Sequence, residues 1–305
     1  MPYRVESPAK LLDALAARLP GWKRGTLRER LRDGLVLVNG VVETRASTPL
    51  SEGDVVELVD ERTVKADRGA PFPVLYEDAD VIAIDKPEGL LTVAGGGEFG
   101  ETAFRRLNEW MAARAGVSAA ERGRARRGGE WTEDALPVHR LDRETSGVLL
   151  FAKMATAKDA LVRSWDRAEK TYLAVTERPP DAPEGEIRLR LREDKGLFVR
   201  VSRGGKAAVT RYRVMATAAG RALLEVRIET GVKHQIRVHL ASMGCPVLGD
   251  LRYGQERAER LFLHAWRLAF PHPGDGRMVT VEASPPRLFG RFLPTRHSRE
   301  SGNPS

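Results

Sequence analysis

His139-Arg140-Leu141-Asp142-Arg143-Glu144-Thr145-Ser146-Gly147 places one carboxylate, Asp142, in a short polar loop between two apolar runs. Leu136-Pro137-Val138 leads in, and Val148-Leu149-Leu150-Phe151 leads out as a predicted buried strand. A polar loop feeding a buried strand is a common seat for a functional group. Thr145 and Ser146 are suited to hold the loop by local side-chain to backbone hydrogen bonds, and Gly147 to a backbone angle other residues avoid. His139 and Arg140 lie within reach of a phosphate or of the carboxylate itself. Spacing alone leaves a second reading equally open, in which Asp142 caps a turn.

Two further clusters lie downstream. In Thr230-Gly231-Val232-Lys233-His234-Gln235-Ile236-Arg237-Val238-His239-Leu240, the spacing predicts a helix with Lys233 and Arg237 on one face. An Arg beside a carboxylate keeps it ionised, lowering its pKa by about 1–3 units, and pairs with it in a planar fork. A basic amphipathic helix packed by Ile236, Val238 and Leu240 explains the same residues. Lys170-Thr171-Tyr172-Leu173-Ala174-Val175 is a predicted strand. A Tyr at its start can stack on a nucleobase for about 1–3 kcal/mol, although a core aromatic is the commoner use.

Moving outward, short strand-like runs recur at Val81–Ile84, Leu197–Val201, Val209–Val214 and Leu223–Ile228. The pattern is strand-rich α+β, without regular βαβ alternation. Residues 1–60 form a small α/β unit of their own. Leu11, Leu12, Leu15 and Leu19 make a helical stripe, and Thr26 to Arg32 a second helix with Thr26 as N-cap. Asn39-Gly40 predicts a tight hairpin, followed by a strand from Val55 to Val59. Lys23, Arg24, Arg28 and Arg32 crowd the second helix, either as an RNA-facing surface or as a solvated helix face. Residues 61–73 are a predicted linker and 74–290 the main domain. Residues 114–130 are a predicted basic flexible loop and 291–305 a disordered tail.

The 305 residues are 42% hydrophobic and 30% charged, enough for a sizeable core in two domains. The net charge of +8 biases the chain toward polyanions. One cysteine, Cys245, excludes an internal disulfide, and six His show no zinc-type spacing with it. No signal-peptide pattern opens the chain, and no apolar run approaches the roughly 20 residues needed to cross a bilayer. The expectation is a cytoplasmic, metal-free protein.

Taken together, His139-Arg140-Leu141-Asp142-x-x-Thr145-Ser146-Gly147, Lys170-x-Tyr172 and His234-Gln235-Ile236-Arg237-x-His239 resemble the signature blocks of one family. It is the large-subunit ribosomal RNA pseudouridine synthase family of the RluA/RluD type. Lys86-Pro87-x-Gly89-Leu90 is similar to its opening block, and Leu263-His264-Ala265 with Pro271-His272-Pro273 to its closing block. Val232 departs from the pattern, which usually has Arg there. The basic loop 114–130 is not part of it. Residues 1–60 resemble the small αL RNA-binding domain named after a ribosomal small-subunit protein.

The resemblance implies a mixed, mostly antiparallel sheet with flanking helices and loops, the pseudouridine synthase fold. It implies isomerisation of uridine in RNA, ribosomal or in some relatives transfer RNA, with no metal and no nucleotide cofactor. Asp142 would start the reaction, either by attacking ribose carbon 1′ or by removing a ribose proton. Arg237 would pair with it. Tyr172 would stack on the uracil and take part in proton transfer at carbon 5. His139, Arg140, Lys233, His234 and Gln235 would hold the flipped nucleotide. The expected partner is RNA, without a membrane, and the default state a monomer. Two alternatives stay open: a non-catalytic RNA-binding or assembly factor, and a glycosidase needing a second carboxylate.

Overall fold

The computed structural model describes residues 3–32, 36–38, 41–43, 45–58, 69–95, 100–117 and 134–292. The chain divides into two compact units, residues 1–71 with 109–130 and residues 72–108 with 131–305.

In the first unit, β1 (Tyr3–Arg4), β2 (Ala9–Lys10), α1 (Leu11–Arg18), α2 (Arg24–Arg32), β3 (Val36–Val38), β4 (Val41–Val42), β5 (Pro49–Leu50) and β6 (Val55–Leu58) follow one another. The sheet order is β1-β6-β3-β4, with β2 and β5 as a separate ribbon. Leu11, Leu12 and Leu15 of α1 and Leu27 and Leu31 of α2 bury against Val36, Leu50 and Val56. Helix α2 begins two residues before the expected cap, so Thr26 sits inside it. Burial of Leu27 and Leu31, four apart, governs the helix more than the local capping preference. Register pairs Val38 with Val41, while Asn39 and Gly40 lie outside the described residues.

From residue 72 on follow β7 (Val74–Glu77), β8 (Val81–Lys86), α3 (Ala103–Arg114), whose residues from Glu109 on are grouped with the first unit, and, in the second unit, β9 (Leu136–Pro137), β10 (Ser146–Ala152), α4 (Ala155–Arg163), β11 (Glu169–Thr176), β12 (Glu184–Glu193), β13 (Val199–Val201), β14 (Lys206–Ala218), β15 (Arg221–Ile228), α5 (Gln235–Ser242), β16 (Leu263–Pro271) and β17 (Met278–Glu282). Among the described residues the sheet of the second unit has 11 strands, with the path β13-β12-β14-β15-β11-β16-β10-β8-β7; β17 pairs with β16 and β9 with β10. The architecture is α+β, as the strand-rich pattern predicts. Its pairings are antiparallel apart from β10 with β16, which run parallel. All seven residues of β10 are buried. One core packs β11, β15 and β16 with Ile236 and Leu240 of α5. A second packs β8, β10 and β17 with Ala157 and Leu161 of α4.

Gly147 lies where the Asp142 loop becomes β10. Its φ is +115°, and a Cβ built there would stand 2.2 Å from the carbonyl oxygen of Ala265 on β16. Only glycine allows both the angle and the approach. Residues 61–68 of the expected linker, 118–130 of the basic loop and 293–305 of the tail lie outside the described residues. The first residues of that loop belong instead to the end of α3, which closes through Gly116 at φ +73°. No described helix is long and apolar enough to cross a membrane.

Candidate active site

The loop carrying Asp142 is fixed from beneath by its backbone. The Thr92 hydroxyl donates to the Leu141 carbonyl at 2.9 Å and accepts the Leu141 amide at 3.1 Å. The Thr145 amide donates to the Asp142 carbonyl at 3.1 Å, closing a turn. Lys86, fully buried at the end of β8, donates from Nζ to the carbonyls of Pro87 (2.8 Å), Leu90 (2.7 Å) and Arg143 (3.2 Å). An ammonium has three protons, and here three carbonyls take them. Burial lowers the Lys86 pKa to about 8 against the pull of Asp142 and Glu144. Ser146 does not bond its own turn, as its position suggests. It bonds His264 Nδ1 on β16 at 2.8 Å and receives Arg260 Nη2 at 2.7 Å. His264 Nε2 donates to the Ala283 carbonyl at 3.1 Å, so Nδ1 is the acceptor and Ser146 the donor.

Arg237 faces Asp142 from α5. Its Nε and Nη2 form a bidentate pair with Asp250 Oδ2 and Oδ1 at 2.7 and 2.8 Å. Its third nitrogen, Nη1, has no hydrogen-bond partner among the described residues and lies 3.5 Å from Asp142 Oδ2 and 3.5 Å from Glu144 Oε2. Asp250 Oδ1 also accepts the amides of Arg252 (2.9 Å) and Tyr253 (3.1 Å). Burial pushes the Asp250 carboxyl up, but Arg237 and these amides hold it below its ordinary value. Burial alone would lower Arg237, yet Asp250, Asp142 and Glu144 together carry it above its ordinary range. The site thus holds a permanent cation, aimed by one carboxylate at another. Asp142 itself is 24% exposed, open enough to meet a ligand.

His234 precedes α5 in the left-handed region, at φ 53° and ψ 18°. That conformation is uncommon for a residue with a Cβ and marks stored strain beside the site. It turns Nε2 to 3.8 Å from Asp142 Oδ2, while Nδ1 meets the Tyr253 hydroxyl at 2.8 Å. Tyr253 also accepts the Val199 amide at 3.0 Å. Tyr172 sits on β11 at a register shift against β16, between Thr171 and Leu173. Such an irregularity re-aims a side chain. Burial, and then the Asp142 charge, push its phenol up, so Tyr172 keeps its proton at neutral pH.

An open carboxylate and an oriented guanidinium meet at one loop, and the Tyr172 phenol feels the charge of that carboxylate. The model of the RNA pseudouridylate synthase family matches residues 80–242 of this chain. The chain belongs to that family. The ribosomal large subunit pseudouridine synthase C of Rickettsia bellii is 30% identical over 94% of this chain and 98% of its own length. The synthase D of Vibrio cholerae is 32% identical over 91% of this chain and 88% of its own. The solved structure of human RNA pseudouridylate synthase domain containing 4 superposes with a TM-score of 0.52, at 25% identity over 75% of this chain and 94% of its own. Residues 10–56 match the S4 domain.

Within this synthase, Asp142, Arg237, His234 and Tyr172 come together, and other expected groups do not. His139 turns into the fold. Its Nε2 accepts the Leu150 amide at 3.1 Å and its ring stacks on Trp165 at 5.3 Å. Burial, then Lys170, lower its pKa to about 4, so the ring is neutral at pH 7 and clasps β10. Gln235 does the same. Its carbonyl accepts from Thr230 Oγ1 and the Val232 amide, and its amide group donates to Val209 and Thr210. That uses the side chain on internal bonds. Lys233 precedes the helix and pairs with Glu193 at 2.5 Å, so it does not share a face with Arg237. Arg140 is exposed.

In the first unit Lys23, Arg24 and Arg28 are exposed, Arg24 paired with Asp13 at 2.7 Å; the Arg32 side chain lies outside the described residues. Asp250, Tyr253 and Lys86 were not predicted as site residues. The Gly249-Asp250 and Tyr253-Gly254 pairs carry only turn signals in the sequence, and Lys86 stands in the opening block without a role of its own. Among the described residues, Asp78, Asp80 and His272 bring three possible metal-ligand atoms within 4.8 Å. His272 Nε2 and Asp78 Oδ2 already share a 2.8 Å bond, and Tyr76 donates to the same oxygen at 2.6 Å. That group is a clasp between β7 and the chain after β16.

Proposed function

We propose that this synthase isomerises uridine in large-subunit ribosomal RNA, with Asp142 acting on the ribose of a uridine flipped out of its stack. The observation that carries this reading is the half-open Asp142 carboxylate, 3.5 Å from an Arg237 nitrogen whose sister nitrogens are fixed by Asp250. Arg237 presents a fixed positive charge to that carboxylate. In the reaction the bond from carbon 1′ to N1 breaks and a bond from carbon 1′ to C5 forms. C5 gives up its proton and N1 gains one, so nothing is consumed. Asp142 either attacks carbon 1′ or removes a ribose proton. Tyr172, protonated, walls the uracil and can donate to it while the base turns over. Arg140 is placed to meet the RNA next to the flipped nucleotide. The relatives named for ribosomal large-subunit synthases support the substrate, and the S4-matching residues supply further RNA contacts through Lys23 and Arg28. The reading includes a monomer working in the cytoplasm.

The test is pseudouridine mapping of total RNA with and without the gene, and with Asp142→Asn in its place. The expected result is loss of modification with RNA binding kept within about threefold. An Asn variant that still makes pseudouridine rejects the assignment.

A further inference from the structure

The tip of the β12–β13 hairpin carries exposed apolar groups that the catalytic arrangement does not use. Phe198 is 37% exposed and Leu197 43%, and Leu251, on the turn that touches the tip, is 79% exposed. The contact is made by Arg252, whose Nη1 donates to the Leu197 carbonyl at 3.2 Å. The tip is firmly built. Asp194 Oδ1 accepts the amides of Gly196 and Phe198 at 2.9 and 3.0 Å, and the Asp194 amide donates to the Phe198 carbonyl at 2.8 Å. Leu197 is held at φ +62°, a conformation unfavourable for a side chain with a Cβ. The fold therefore spends backbone strain to hold Phe198 where water meets it.

Two guanidiniums flank the ring. Arg252 Cζ lies 5.3 Å and Arg200 Cζ 5.7 Å from its centroid. Tyr253 meets Phe198 edge-on at 6.4 Å, and the Tyr253 hydroxyl bonds His234, itself 3.8 Å from Asp142. The patch thus begins two side chains away from the carboxylate. The acids of the tip are used up: Glu193 pairs with Lys233, and Asp194 with Arg200. Arg192, Lys195, Arg203 and Lys206 stay exposed without an ion-pair partner among the described residues. Aromatic and guanidinium faces amid unneutralised cations are what unpaired nucleotides bind. The centre of a protein–protein interface would instead be depleted in lysine.

We propose that this tip, Phe198 with Arg252 and Arg200, is a stacking platform for an unpaired nucleotide beside the target uridine. The proposal rests on the RNA-substrate reading and adds to it a place where sequence around the target is felt. Stacking selects for an unpaired neighbour, since a paired base has no free face.

The experiment is single-turnover pseudouridine formation by the full-length protein on protein-free large-subunit ribosomal RNA, over a range of enzyme concentrations. Phe198→Ala and Phe198→Leu should each raise the half-saturating concentration about tenfold and leave the saturating rate within about twofold. Phe198→Tyr should restore binding to within about threefold. Arg252→Ala should also lower the slope of log affinity against log salt by about 1, which Phe198→Ala should not. If Phe198→Leu binds as the wild type does, the ring serves packing only and the platform is overturned. The same holds if the alanine variant binds naked RNA normally but loses co-sedimentation with ribosomal particles, which would assign the patch to a protein. Absence of pseudouridine with the wild-type protein would overturn the substrate reading, and the platform with it.

Discussion

Replacing Asp250 with Asn tests whether Arg237 is a held cation. Asp250 is fully buried and Arg237 3% exposed, so the pair is out of water. Asn keeps an oxygen for the amides of Arg252 and Tyr253, which limits the damage to the charge and the Nε contact. The new Nδ2 group would face Arg237 Nε, donor against donor. Removing one partner of a buried pair costs about 3–5 kcal/mol, because the other charge stays behind. For a unit of this size that is about 6–20 °C in melting temperature. Arg237 would also lose its aim at Asp142, so the single-turnover rate should fall at least tenfold. The decisive arm is the double variant with Arg237→Met, which removes the stranded cation. It should melt above Asp250→Asn alone, although it carries one more change. A single variant that melts within about 2 °C of wild type refutes the reasoning. So does a double variant whose losses merely add.

Three other outcomes are expected. Gly147→Ala should cost several kcal/mol or prevent folding, since the new Cβ meets the Ala265 carbonyl at 2.2 Å; thermal melts check this. Burial holds His139, His239 and His264 neutral, each with a pKa lowered to about 4 from 6.5. The unfolded chain therefore binds more protons below pH 6.5, so these groups make stability fall as pH drops from about 6.5 to 4. Urea titrations should show His239→Leu flattening that limb by about one proton, and an unchanged slope would count against it. In the first unit, Lys23→Ala with Arg28→Ala should weaken RNA binding and reduce the salt slope by about 1–2. Filter binding across a salt series would reveal an unaltered slope if these cations face only water.

Much of this protein was legible in its residues because it depends on local pattern. The buried run Val148–Phe151, the leucine stripe of α1 and the helix bearing Arg237 each follow from spacing and burial preference. The loop around Asp142 was visible as a polar interruption between apolar runs, and the ordered blocks around it pointed to the family. Spacing could not tell a turn cap from a reactive group, because both are an acid in a loop.

Tertiary structure decided which side chains meet. His139 and Gln235 sit beside key positions in sequence, yet packing against β10 and β14 gives each internal partners, since a buried polar group must find one. Lys233 does not share the helix face of Arg237, because the left-handed turn at His234 sets it before the helix. Asp250 and Lys86 gain their roles only when chain folding places a carboxylate under Arg237 and three carbonyls around an ammonium. The sequence by itself determined the elements, the basic character and the candidate carboxylate. Only the packed fold decided that Asp142 faces a fixed cation, because charges distant along the chain acquire each other's fields when burial brings them within a few ångströms.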